Sequence, residues 1–108
     1  MNGLNIAIQI AFQSGIDLPH YIILTNWTDE GIRSVNAILG RVESAKTLAK
    51  ELGGKAEVYY TFGEYDTVMM LEAPGDEAAL QIVLRLGKLG NIRTKTLKAF
   101  TSEEAVAA

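Results

Sequence analysis

Tyr65 and Asp66, adjacent behind Gly63-Glu64, and Arg93 are the residues of this chain that could polarise a carbonyl and move a proton, because a Tyr or Asp with a shifted pKa serves as acid or base. Asn26, Trp27 and Thr28 form a second group, able to hydrogen-bond to a small ligand and stack on it, with Arg33 following one helical turn later. The free N–H groups of a helix starting after Thr28, with Arg33 beside them, could hold a carboxylate or phosphate. Each residue also has a structural reading. Gly63 supplies a positive φ in a hairpin, Asp66 caps backbone N–H groups or pairs with Arg93, and Trp27 fills a core edge or a subunit interface. No Ser sits in a nucleophile elbow and no Gly-rich phosphate loop follows a strand, so covalent catalysis and nucleotide hydrolysis are not expected. The single His, His20, has no second His to share a metal, and the absence of Cys removes thiolate and disulfide chemistry. The sequence calls for neither a metal nor a cofactor.

The elements that position these residues belong to one small domain. The chain has 108 residues, a net charge of −3 and 48% apolar residues, enough to bury a core. No apolar run approaches the roughly 18 residues of a membrane-spanning helix, so no membrane partner is expected. Arg85, Lys88, Arg93, Lys95 and Lys98 follow one another without an intervening acid. With an overall pI near 5.1 that patch does not predict a nucleic-acid partner. The lack of Cys fits a reducing cytoplasm.

Periodicity orders the elements as strand, helix, strand, strand, helix, strand. Tyr21 to Thr25 is a compact apolar run, Thr28 a natural N-cap, and Ile32, Val35, Ile38, Val42, Ala45, Leu48 and Leu52 repeat at helical spacing up to Gly53-Gly54. A kink is expected near Gly40. Ala56 to Phe62 and Asp66 to Ala73 read as a hairpin turning at Gly63-Glu64, and Asp76 is expected to cap a second helix with the stripe Ala79, Ile82, Val83, Leu86 and Leu89. Ile92 to Phe100 is the last strand.

This order predicts an α+β, ferredoxin-like βαββαβ domain over residues 20–104, followed by a tail at 105–108. Its four-stranded antiparallel sheet has the order 4-1-3-2 and both helices on one face. The end of the first strand, the hairpin and the start of the fourth strand then converge at one end of the sheet. The two central strands are apolar at consecutive positions, which puts apolar side chains on the uncovered face too. A second copy packed sheet against sheet is therefore expected, giving a homodimer or a larger assembly of dimers. Residues 1–19 alternate as a half-buried strand, Leu4, Ile6, Ile8, Ile10 and Phe12 against Asn5, Ala7, Gln9, Ala11 and Gln13. They read either as an extra edge or exchanged strand or as a leader foreign to the fold.

The run Tyr21 to Arg33, the hairpin Gly63-Glu64-Tyr65-Asp66 and the segment Leu89 to Thr96 together resemble the GYD domain family, Gly63, Tyr65 and Asp66 matching its name-giving motif. The resemblance covers about residues 20–104. It implies a ferredoxin-like domain of the dimeric α/β-barrel superfamily, which includes monooxygenases, isomerases and effector-binding domains. The leading expectation is an oligomeric binding or accessory domain that takes a small polar or anionic ligand near Asn26, Trp27, Thr28, Arg33, Gly63, Tyr65, Asp66 and Arg93. The alternative is a cofactor-independent monooxygenase or isomerase using Tyr65 and Asp66 for proton transfer. A third reading is a structural assembly unit in which the motif only shapes the hairpin.

Overall fold

The computed structural model describes residues 18–88, 90 and 92–108. Four strands, β1 (His20–Trp27), β2 (Lys55–Tyr60), β3 (Thr67–Glu72) and β4 (Ile92–Ala99), form one antiparallel sheet in the order β2-β3-β1-β4, as the sequence predicts. The sheet of a single chain is open and does not close into a barrel. The expected N-terminal strand and the residues Leu89 and Asn91 fall outside the described residues.

Period-two alternation divides β1 between two environments. Tyr21, Ile23 and Thr25 are buried on one face, while Ile22 and Leu24 point to the other and are half-buried. The chain leaves β1 into α1 (Asp29–Arg33), and the buried face carries α2 (Val35–Glu51) and α3 (Asp76–Gly87). Ala45 and Ala49 of α2 and Ala78, Ala79 and Ile82 of α3 join Met69, Leu71 and Ala56 of the sheet to form the core. Small alanines let the helix backbones come close to the strands. Ile23, Leu71 and Ile82 are fully buried, each worth about 1.5–3 kcal/mol relative to exposure. Gly54 is required where the chain enters β2, because a Cβ there would lie 1.9 Å from the Glu72 carbonyl oxygen.

The first helical stretch breaks at Ser34 and not at the expected Gly40. Ser34 leaves helical geometry at φ −120°, ψ 39°, and its N–H turns back to the Gly31 carbonyl at 3.0 Å. Gly40 continues α2 with open space around it. The second helix differs at its start. Gly75 occupies the N-cap position and Asp76 is the first helical residue, its side chain engaged elsewhere. Beyond β4, Thr101 and Glu104 form a reciprocal capping box that opens α4 (Ser102–Ala107), so the segment expected as the domain end and tail is helical.

The opposite face of the sheet is uncovered in the single chain. Met70 is 43% exposed, Leu97 46% and Tyr59 54%, beside half-buried Ile22, Leu24 and Val68. No helix among the described residues is long and apolar enough to cross a membrane.

Candidate functional site

The three loops named from the sequence do converge at one end of the sheet, where Thr25 pairs with Thr67 and Trp27 with Ile92. The sheet itself then separates the residues it brings there. Trp27 continues the helix-covered face of Tyr21, Ile23 and Thr25, whereas Asn26 and its partner Arg93 project from the open face. Tyr65 belongs with the open face as well: its hydroxyl receives Lys95 Nζ in a long contact of 3.5 Å, and Lys95 is paired with Leu24. Arg33 is exposed at the end of α1.

Backbone needs take up much of the motif. The Asp66 N–H bonds the Thr25 carbonyl at 2.9 Å, and the Asp66 carboxylate accepts the Trp27 N–H at 2.8 Å, so the two strands stay joined one residue ahead of the start of β3. Asp66 makes no ion pair with Arg93. Thr61 closes the hairpin through its N–H to the Asp66 carbonyl and its hydroxyl to the Tyr65 carbonyl at 2.6 Å, and Gly63 supplies the positive φ of 104°. Thr28 caps α1, accepting the Gly31 N–H at 3.1 Å and donating to the Gly90 carbonyl at 2.8 Å. Its hydroxyl thus takes one of the N–H groups that the sequence offered to an anion.

The cavity at this end lies between the sheet and the two long helices. It measures about 560 Å³, within the range of small-molecule pockets. Val42, Ala45 and Leu48 of α2, Ile82 and Leu86 of α3, and Val58, Met69 and Ile92 of the sheet give it an apolar lining. Trp27, Thr25 and Thr67 lie in the same wall, with Arg41 on α2 and Arg85 on α3. Thr25, 5% exposed, and Thr67, 6% exposed, are the buried polar residues of the described chain, and both line this cavity. The Trp27 indole Nε1 is buried without a hydrogen-bond partner. A buried donor without a partner costs about 1–3 kcal/mol, so its retention calls for an explanation. Of the residues proposed from the sequence, Trp27 alone reaches this cavity. Thr25, Thr67, Arg41 and Arg85 were not among them, although the alternation Ile23, Thr25, Trp27 already placed Thr25 on the face of Trp27.

Polar groups at the other end of the helix-covered face are satisfied. The Tyr21 hydroxyl donates to the Asp76 carboxylate, which also receives Lys98 Nζ at 3.1 Å. Burial, then the Asp76 hydrogen bond and charge, push Tyr21 from 10.0 up to about 12. The hydrogen bond from Tyr21, then that from Lys98, hold Asp76 below the usual carboxylate range. On the open face His20 Nε2 meets Glu72 at 3.0 Å, leaving Nδ1 buried without a partner. When Nε2 carries the proton of a neutral ring, that Nδ1 is a lone pair and not a stranded donor, unlike Trp27 Nε1. Among the described residues no cluster of three or more His, Cys, Asp or Glu is arranged to hold a metal.

Comparison with known proteins places this geometry in a family. A crystallised protein of Thermus thermophilus, TTHA0845, has a similar structure with a TM-score of 0.52 and 25% identity, covering 79% of this chain and 96% of its own. The feast or famine regulatory protein (Rv3291c) of M. tuberculosis, complexed with L-methionine, shares the fold with a TM-score of 0.52 and 12% identity, covering 88% of this chain and 68% of its own. No curated protein matches the chain. With the GYD domain model matching residues 21–108, Gly63, Tyr65 and Asp66 in the hairpin included, the chain belongs to the GYD domain family.

Proposed function

We propose that this chain is a binding domain for a small polar or anionic ligand, held in the cavity between the sheet and helices α2 and α3, and that it works as a homodimer joined through its open sheet face. One observation carries the ligand reading: the buried polar side chains of the core, Thr25 and Thr67, both fall in the wall of a single cavity, which Trp27 also lines. A core needs no hydroxyls there, whereas a ligand needs fixed polar groups within an apolar lining to orient it. The L-methionine complex of the feast or famine regulatory protein is compatible with this reading. In the same proposal Thr28, Gly63 and Asp66 hold the loops at this end of the sheet in place, Arg33 is exposed at the end of α1, and Asn26, Tyr65 and Arg93 lie on the open face, away from the cavity. Asp66 fixes the end of β1, and Tyr65, Arg93 and Lys95 stand where a second sheet would meet the first. Apolar Met70 and Leu97 at the centre of that face support the dimer.

A thermal-shift screen against small metabolite acids tests the ligand reading. A ligand at a hundred times its Kd is expected to add about 2.7 kcal/mol to stability, and Ser44→Phe, which fills the cavity from α2, is expected to abolish the shift. Shifts that survive Ser44→Phe would move the site elsewhere. Sedimentation at low micromolar concentration tests the dimer. Met70→Glu is expected to give monomers, and a wild-type monomer would contradict the proposal.

A further inference from the structure

We infer that the ligand of this cavity is an amphipathic monocarboxylate, its carboxylate held at the Trp27 end by Arg85 and its apolar body lying along α2 and α3. This inference rests on the reading of the cavity as a ligand site and adds the class of ligand. The cavity wall is electrically uneven. Chain connection puts Arg85 at the Trp27 end, because it lies in the last turn of α3 and the next strand begins at Ile92, the partner of Trp27. Arg41 lies in the first half of α2, the helix that starts from this end, and Glu51 is the last residue of α2. The ten residue steps from Arg41 to Glu51 span about 15 Å at the rise of an α-helix. The cavity thus has a basic end and an acidic end. Arg85 makes no ion pair with any described residue, whereas Glu43, the other acid in the wall, is paired with Lys46 at 3.7 Å. A guanidinium at the mouth of an apolar cavity suits a carboxylate, to which it can present two parallel N–H donors. Thr25 and Thr67, paired across β1 and β3, supply hydroxyls on the sheet side. Val42, Leu48, Met69, Ile82 and Leu86 line the remainder and suit a hydrocarbon body. Glu51 opposes a second negative charge at the far end.

The sole Trp of the chain, Trp27, is a built-in reporter, so binding is read by its fluorescence in the full-length protein. Three eight-carbon probes isolate the charges: octanoate, its neutral amide octanamide, and the dicarboxylate suberate. Octanoate is expected to bind about fivefold more tightly than octanamide or suberate, a factor in keeping with one partly exposed ion pair. Arg85→Gln is expected to erase the preference for octanoate while leaving octanamide unchanged, and Arg85→Lys to restore part of it. Equal affinity for octanoate and octanamide, or an Arg85→Gln variant that keeps the preference, would overturn the monocarboxylate assignment while leaving the cavity a ligand site. Failure of all three probes to change either Trp27 fluorescence or melting temperature would overturn the cavity reading along with it.

Discussion

The two ends of the helix-covered face each carry buried hydroxyls, on Tyr21 at one end and on Thr25 and Thr67 at the other, and treat them in opposite ways. At one end the Tyr21 phenol is tied to Asp76, and Asp76 to Lys98, while Gly54 brings the chain against the backbone of β3 with no room for a Cβ. At the other end Thr25 and Thr67, the buried polar residues of the described chain, line a cavity together with Trp27, whose indole N–H is itself enclosed without a partner. The first end is built for stability. The second retains buried polarity that folding does not need, and that contrast is the physical basis for placing a ligand there.

Substitutions can break or sharpen the contrast. The largest effect is expected at the closed end. Gly54→Ala forces the β3 backbone aside and should cost about 3 kcal/mol in chemical denaturation, whereas Gly40→Ala, in open space on α2, should stabilise by about 0.5–1 kcal/mol. Asp66→Ala removes the acceptor for the Trp27 N–H and should cost about 1–2 kcal/mol, with Asp66→Asn largely rescuing stability because an amide oxygen can take the same bond. An Asp66→Asn variant as unstable as Asp66→Ala would show that the charge matters and not the acceptor.

The closed end should also respond to pH. Tyr21 holds its proton more tightly when folded, about 12 against 10.0, so its contribution is complete below pH 10 and is lost as pH rises from about 10 to about 12. Asp76 is shifted downwards, so its contribution is present above the unfolded carboxylate range and is lost as the pH falls through its lowered value. Tyr21→Phe should lower the melting temperature by a few degrees at neutral pH and flatten the alkaline limb. Asp76→Asn should flatten the acid limb. An alkaline limb unchanged in Tyr21→Phe would break the assignment.

Much of this architecture is legible in the sequence because period and punctuation agree. The apolar runs at Tyr21 to Leu24 and Val68 to Leu71 mark the central strands, and Gly63 marks the hairpin. The capping box Thr101-x-x-Glu104 announces α4 just as plainly, in a stretch that composition presents as a tail. Ser34 breaks the first helix where glycine content pointed to Gly40, because a turn closed by Gly31 and Ser34 decides the matter locally. The cavity was less accessible to sequence reasoning, since Thr25, Thr67, Arg41 and Arg85 come from four separate elements. Loop convergence pointed to the end of the sheet where the cavity lies, but it did not separate the two faces. Asn26 and Trp27 are neighbours in sequence and lie on opposite sides of it.

The smallest expected change in stability gives the most direct test. Thr25→Val and Thr67→Val replace each hydroxyl by a methyl of the same shape at the cavity wall. If those hydroxyls serve a ligand, the double variant should be as stable as the wild type or up to about 1 kcal/mol more stable, because buried polarity has been removed. Its affinity for octanoate, read by Trp27 fluorescence, should fall about tenfold. A double variant that loses stability by more than about 1 kcal/mol and binds octanoate as the wild type does would show that the two threonines hold the fold together, and would contradict the account.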